Sequence, residues 1–318
     1  MKIAVLVCDG AFDSGLASVL DVFDTANTMA EELPEAPRWS VTRIGFTPQV
    51  RTAAGLLVDC APVCHAESAD LLIVPAVNER WPVGLVEFVS GERSRPAREL
   101  IARTHARGAA IASACAGTFL LAEAGVLDHV RATTTWWLAP AFRARYPHIQ
   151  LDQGSMVVHQ GSVTTAGAAF GHLDLALALV RAGSPAVADL VARYLVVDDR
   201  PSQAPYIMPS ALAQHDPTVA AFERWVRDRL AEPISVPDAA RRLGVSERTL
   251  QRSVQRTMGT SPIRFVQDLR IERATHLLRT TDLSLETIAR RVGYEQASTL
   301  RVLLRERTGK TTAALRTV

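Results

Sequence analysis

Ala109-Ala110-Ile111-Ala112-Ser113-Ala114-Cys115-Ala116-Gly117-Thr118-Phe119-Leu120-Leu121 decides how the first two thirds of this chain are read. A run of small, mostly apolar residues ends on a cysteine, and a helical pattern starts within two residues, across Gly117. That is the pattern of a tight strand-to-helix turn, which raises one side chain at the carboxyl edge of a sheet. The helix start would favour a thiolate at Cys115, or a bound anion, because free backbone N–H groups gather there. A buried structural thiol is the competing reading, since cysteine is among the most buried residue types.

Outward from this turn, short apolar runs alternate with helical patterns. Lys2–Cys8, Trp39–Gly45, Leu71–Pro75 and Ala109–Ala114 read as strands; Leu16–Ala30, Pro96–Arg107 and Phe119–Ala124 read as helices. Met156–His159 and Ser162–Thr165, parted by Gln160-Gly161, predict a hairpin, and Asp174–Arg181 and Ala186–Tyr194 two more helices. Such alternation predicts an α/β layer structure with a mostly parallel sheet and helices on both faces. Residues 1–195 form this first domain. Residues 196–216, VVDDRPSQAPYIMPSALAQHD, hold three prolines and little periodicity and read as a linker. From Pro217 to the end every segment reads as helix.

Composition bounds the function. A chain of 318 residues fits two domains at roughly 100–200 residues each. With 48% apolar and 21% charged residues it is globular rather than disordered. No apolar run approaches the ~18–20 residues of a membrane span, and the start has no secretory pattern. The four cysteines are irregularly spaced, which argues against a disulfide framework and for a cytoplasmic protein. Cys60, Cys64 and His65 stand close together without an evident fourth ligand, so no metal or other cofactor is expected.

Charge is unevenly distributed. Residues 1–216 hold 16 Lys and Arg against 22 Asp and Glu, whereas residues 217–318 hold 19 against 11. A basic end behind an acidic body suggests a module for a polyanion. An internal repeat lies in that basic end: Ala240-Arg241-Arg242-Leu243-Gly244-Val245 recurs as Ala289-Arg290-Arg291-Val292-Gly293-Tyr294, 49 residues on. Each copy continues into a second helix, Glu247–Met258 or Gln296–Thr308, and ends in Gly259 or Gly309. Helix, glycine turn, helix is the helix-turn-helix arrangement. Leu250, Val254 and Met258 recur every four residues and should face a core, leaving Glu247, Arg248, Gln251, Arg252 and Gln255 open. Arg and Gln are the residue types that read guanine and adenine edges in the major groove.

Residues 217–318 resemble the DNA-binding domain of the AraC/XylS family of bacterial transcription regulators. The stretches that carry the likeness are ISVPDAARRLGVSERTLQRSVQRTMGTSPIRFVQDLRIERATHLL and LSLETIARRVGYEQASTLRVLLRERTG. The resemblance implies two helix-turn-helix units joined by a long helix, with Arg248, Gln251 and Arg252 at base-facing positions. The second copy departs from the family: Leu300, Arg301 and Val302 replace its usual Phe-x-Arg, and Thr311–Arg316 replaces its terminal Ser-Pro-x-x-Tyr-Arg. Gln296, Arg301 and Arg305 of that copy are expected at the DNA, the two arginines holding phosphates more than reading bases.

Residues 1–195 resemble the PfpI-type, class I glutamine amidotransferase-like superfamily, and within it the GlxA-like branch fused to AraC-type domains. The matching residues are VLDVFDTAN, ASACAGTFLLAEAGVLD, RATTTWW, RYPHIQLD, VTTAG and LDLALALV, in order. The resemblance implies a flavodoxin-like three-layer sandwich, a homodimer, and a domain that senses small molecules more often than it turns them over. It also implies that Cys115, with Ala116 beside it, lies at the ligand site. His172, in His172-x-Asp174, and Asp13 are candidates for the base and the acid beside the thiol. Two departures weigh against catalysis: Ala116 stands where PfpI proteases have His, and Thr135 where many GlxA-like regulators have His. In open α/β sheets ligands sit outside the carboxyl ends of the strands, here around Asp9–Asp13, Ala76–Asn78, Cys115 and Thr133–Trp137. Trp136 and Trp137 either offer a ring face to a cationic ligand or pack in the core. The leading expectation is a transcription regulator, not an enzyme, controlled by an amine, amino acid or betaine-like effector near Cys115. Its partners would be double-stranded operator DNA, that effector and a second copy of the chain, with RNA polymerase as a candidate and no membrane. The alternative is a Cys-dependent hydrolase or amidotransferase-like enzyme carrying a DNA-binding tail.

Overall fold

Along β1 (Lys2–Leu6) side chains alternate between two separate cores, and this alternation builds the first unit. Ile3 and Val5 pack with Leu16, Val19 and Phe23, and with Leu175, Val180, Val187 and Val191. Ala4 and Leu6 pack on the opposite side with Leu85, Val89, Leu100, Ile101, Phe119 and Phe142. Each of the larger of these side chains contributes ~1.5–3 kcal/mol by leaving water. The computed structural model describes residues 1–33, 35–79 and 81–316, and the chain forms two compact units, Met1–Gln203 and Ala204–Val318.

The strands of the first unit after β1 are β2 (Ser40–Gly45), β3 (Gln49–Arg51), β4 (Leu57–Asp59), β5 (Ala61–Pro62), β6 (Leu71–Val74), β7 (Ala110–Ala114), β8 (Arg131–Ala132), β9 (Gln150–Leu151), β10 (Val157–Gln160) and β11 (Val163–Ala166). Seven of them form the central sheet in the order β10-β11-β7-β6-β1-β2-β5. All neighbours are parallel except the β10–β11 hairpin. One face carries α1 (Asp13–Met29), α6 (Gly171–Gly183) and α7 (Pro185–Tyr194); the other carries α2 (Pro82–Ser90), α3 (Arg95–Ala106), α4 (Gly117–Glu123) and α5 (Ala139–Arg145). This is the flavodoxin-like three-layer α/β fold. Helices α2 and α5 and the β3–β4 hairpin add to the elements read from sequence, because their short apolar patterns carry little periodic signal. Among the described residues no helix is long and apolar enough to cross a membrane.

The stretch 196–216 is not a free linker. Its first part is tied to the first unit: the Met156 N–H donates to Pro201 O (3.0 Å) and the Gln203 N–H to Gly154 O (2.9 Å). Its second part opens the second unit, with α8 (Pro209–Ala213) and with Asp216, whose carboxylate caps α9 (Pro217–Arg227) by accepting from the Thr218 and Val219 N–H groups. Prolines here start helices rather than loosen the chain.

The rest of the second unit is helical: α10 (Val236–Arg242), α11 (Glu247–Met258), α12 (Pro262–Thr280), α13 (Leu285–Arg291), α14 (Ala297–Thr308) and α15 (Thr312–Arg316). Ser235, Ser246, Ser261 and Ser284 each cap the helix that follows with a side-chain oxygen. Gly244 and Gly293 turn the chain between paired helices at φ +68° and +80°. A Cβ at residue 293 would lie 2.4 Å from Leu230 O, so that turn needs glycine for space as well as for conformation. The central helix α12 contributes Ile271, Ala274, Leu277 and Leu278 to the core under the second helix pair, with Ile288, Val292, Leu300 and Leu304.

Candidate functional site

Cys115 sits at the end of β7 with φ +55°, a left-handed conformation that costs a non-glycine residue ~1 kcal/mol or more. The turn is held from several sides. The Cys115 N–H donates to Ala166 O (2.9 Å), which extends the β7–β11 pairing by one residue. Thr134 Oγ1 donates to Cys115 O (2.7 Å). Gly117 is required for close approach, since a Cβ there would lie 2.6 Å from Ser113 Oγ and 2.7 Å from Val74 O.

Of the two readings of Cys115, its burial favours the structural thiol. Burial pushes the Cys115 thiol up to about 12, against the opposing pull of the Ala116 N–H and the Thr135 hydroxyl. At neutral pH it is a thiol, because desolvation of the charged form outweighs the short helix behind it.

His172 is not placed as a base. It is fully buried; Nε2 accepts from the Ala76 N–H (3.0 Å), so Nδ1 carries the proton and donates to Ala169 O (2.7 Å). Burial lowers its pKa to about 4, and both nitrogens are occupied. Its ring packs on Phe12 and over Gly15, where a Cβ would lie 2.8 Å away. Asp174 pairs with Arg200 instead of assisting His172. Asp13, the first residue of α1, accepts from the Thr52 hydroxyl and from the Ala54 N–H (2.9 Å), and thereby fastens the β3–β4 turn to the helix start. The Phe12 N–H donates to Ala76 O and the Asn78 N–H to Gly10 O, so the loops at this sheet edge are knit together as expected from their position.

The wall beside Cys115 is Thr133–Trp136. The three threonines are fully buried and Trp136 nearly so, its ring meeting Trp137 edge to face at 5.6 Å. The Thr118 hydroxyl is buried and makes no hydrogen bond among the described residues, while the Thr135 hydroxyl faces the Cys115 thiol. One participant was invisible in the sequence: Gln203, from the supposed linker. Its Oε1 accepts from the Trp136 N–H (3.1 Å) and its Nε2 donates to Thr134 O (2.9 Å). No periodicity or motif marks it, because its partners lie about 70 residues away in the chain. At the Cys60–His65 segment, Cys60 donates to Val58 O and the His65 ring meets Pro62 O, and among the described residues no metal-holding cluster forms.

The second unit presents the opposite picture. On α11, Leu250, Val254 and Met258 are buried, and Arg248, Gln251, Arg252 and Gln255 are exposed, as the spacing predicts. Ser246 Oγ accepts from the Thr249 N–H (3.1 Å) and fixes the helix start. Arg256, one turn on, pairs with Asp216 (2.6 Å) and so belongs to the scaffold. On α14, Leu300 and Leu304 face the core while Arg301, Val302 and Arg305 are exposed. Gln296 precedes α14 without capping it; its Oε1 accepts only from the Ser298 hydroxyl (3.4 Å).

Residues 1–182 match the family model described as the DJ-1/PfpI family, and residues 239–317 one described as a helix-turn-helix domain. The chain belongs to the DJ-1/PfpI family and joins that domain to an AraC-type helix-turn-helix region. It is similar to the HTH-type transcriptional regulator CdhR of Pseudomonas aeruginosa, 31% identical over 193 residues, 57% of this chain and 55% of that protein. It is also similar to the HTH-type transcriptional regulator GlxA of Rhizobium meliloti, 27% identical over 250 residues, 77% of this chain and 74% of that protein. GbdR of P. aeruginosa is 23% identical, and the match spans 65% of its length; this chain thus spans between about half and two thirds of CdhR and GbdR. Among solved structures, an AraC family transcriptional regulator from Pseudomonas putida superposes with a TM-score of 0.52 at 19% identity, over 61% of this chain and 98% of the other. Drosophila melanogaster DJ-1beta superposes with 0.50 at 18%, over 62% and 98%. Both show the fold of the first unit.

Proposed function

We propose that this chain is a sequence-specific DNA-binding transcription regulator whose DJ-1/PfpI unit binds a small metabolite beside Cys115. The observation that carries the DNA half is the exposed Arg248-Gln251-Arg252-Gln255 face on a capped helix behind a glycine turn. These side chains form no ion pair within the described residues and match the donors that read base edges. Arg301 and Arg305 on α14 hold backbone phosphates, and the basic balance of the unit makes affinity fall steeply with salt. The relatives named as HTH-type transcriptional regulators support the same reading.

For the metabolite, the support is the elbow itself: a buried hydroxyl without a partner at Thr118, and the Thr135 hydroxyl facing the buried Cys115 thiol. These suit a small polar ligand that needs hydrogen bonds rather than chemistry, such as an amino acid, an amine or a betaine, with Trp136 and Trp137 toward its cationic end. An enzyme reading lacks its base, because both nitrogens of His172 are spent on the backbone. Homodimerisation and contact with RNA polymerase belong to the same proposal.

The test selects a DNA site from a random pool with the full chain. Its affinity is then measured with and without a panel of amino acids, amines and betaines, and each active compound is recovered. A compound that changes affinity and returns intact supports the regulator. A compound consumed by the wild type and spared by Cys115→Ser replaces it with the enzyme. Failure to select any DNA sequence overturns the DNA half.

A further inference from the structure

Gln203 is the last residue of the first unit, and its side chain is fully buried. It enters a slot that only glycine leaves open: a Cβ at residue 167 would lie 2.2 Å from its Nε2. Inside the slot the amide serves the wall beside Cys115 on every side. The two hydrogens of Nε2 are shared among Thr134 O (2.9 Å), Thr133 Oγ1 (3.2 Å) and Ser155 O (3.3 Å), and Oε1 accepts from the Trp136 N–H (3.1 Å). Thr134 in turn donates from Oγ1 to Cys115 O. Two hydrogen bonds therefore connect the elbow to the residue where the first unit ends.

The chain leading to Gln203 is laid down as a strap. Arg200 is anchored on Asp174, Ser155 and Ser202 form an isolated antiparallel bridge, and Ser202 Oγ donates to Gly154 O (2.7 Å). Between the strap and helices α6 and α7 the packing is incomplete. A cavity of about 270 Å³ lies there, lined by Leu177, Ala192, Val197 and Pro201 among others. The strap is thus fastened by a few polar contacts rather than by solid packing.

We propose that Gln203 is a positioning residue of the effector site: seated, it holds the Thr133–Trp136 wall against Cys115, and its seating couples that site to the start of the DNA-binding unit. The inference rests on the regulator reading above. Withdrawal of the amide would leave the buried Trp136 N–H without an acceptor, and Thr134 O and Ser155 O with the single Thr133 hydroxyl to share, a penalty that makes the strap two-state rather than gradually yielding. A ligand that moves Thr134 or Trp136 binds the seated and unseated forms differently, and only that difference in affinity can shift the strap.

The test uses the full chain and needs no ligand. Gln203→Glu keeps the size and the acceptor but lacks the amide protons; Gln203→Met fills the slot without polar atoms and serves if the carboxylate prevents folding. Gly167→Ala crowds the slot while leaving Gln203 in place, and Arg200→Ala releases the anchor alone. The readouts are alkylation of Cys115 by iodoacetamide, hydrogen exchange of residues 133–136 and 200–206, and affinity for the selected DNA site. The expected result for the Gln203 and Gly167 variants is about tenfold faster alkylation, with exchange rising in both segments together. DNA affinity shifts about threefold or more while exchange in α11 stays as in the wild type. Arg200→Ala gives the same changes in weaker form. Alkylation unchanged within about twofold, or exchange that rises evenly over the whole unit, overturns the positioning role. Faster alkylation with unchanged DNA affinity in every variant overturns the coupling. Failure of the sensor reading is separate: no compound alters DNA affinity of the wild type, yet the variants still change alkylation.

Discussion

The two units carry reactive-looking side chains in opposite circumstances. In the first, Cys115, His172 and Asp13 are the residues a chemist would choose, and the fold has used each of them internally. Burial keeps the thiol protonated, His172 bonds two backbone groups, and Asp13 fastens a turn. In the second, Arg248, Gln251 and Arg252 stand exposed on a capped helix and make no side-chain hydrogen bond or ion pair among the described residues. A polar group satisfied inside the protein contributes to stability, whereas one left over on a fixed scaffold is available to a partner. Residue type alone does not separate the two cases.

Substitutions should therefore fail differently in the two units. The largest effect is expected at His172. His172→Ala removes the partners of the Ala76 N–H and Ala169 O and leaves a void against Phe12, costing ~3–5 kcal/mol of stability. The wild type should show the linkage directly. The unfolded chain takes up a proton on this ring below about 6.5, and the native state only near 4, so stability is present above 6.5 and falls as pH drops. The loss is about 3 kcal/mol by pH 4, and His172→Gln should flatten it. Hydrogen exchange of the β7 amides across that pH range checks both. A flat profile in the wild type would mean that the ring is not held neutral, and the contrast between units would weaken.

Arg248→Ala should be the mirror case. We expect a loss of ~1–3 kcal/mol in affinity for the selected site, relaxed preference at one or two base pairs, and an unchanged melting temperature. Arg301→Ala should weaken binding to all sequences alike and make the salt dependence less steep. Repeating the sequence selection with each variant distinguishes them. A changed motif for Arg301→Ala would make α14 a reader of bases and erase the difference between the two repeats. The smallest effect concerns the scaffold: Ser246→Ala should cost about 1 kcal/mol through the lost cap of α11. Gln296→Ala should cost little, because that side chain does not cap α14. Thermal unfolding followed by circular dichroism compares the pair.

Much of this was legible in the chain. The apolar run of β1, the four-residue apolar spacing in α11 and the glycine turns between paired helices are local, and the structure follows them within a few residues. The elbow at Cys115 was legible for the same reason, since a strand of small residues ending at Cys-Ala-Gly has few ways to continue. Residues 196–216 are more ordered than a linker, because proline starts helices as well as ending them. Pro209 and Pro217 open helices, and residues 200–203 are ordered by partners far off in the chain.

What the sequence by itself determined was the order of layers, the repeat with its exposed arginines, and the position of the turn at Cys115. All of these depend on residues within a few positions of one another. Only the tertiary structure decided that the thiol is buried, that both ring nitrogens of His172 bond the backbone, and that Gln203 is held against Thr133–Trp136. Desolvation and hydrogen-bond partnership depend on what lies beside a group in space, and here the partners come from strands, loops and a strap about 20 to 100 residues apart.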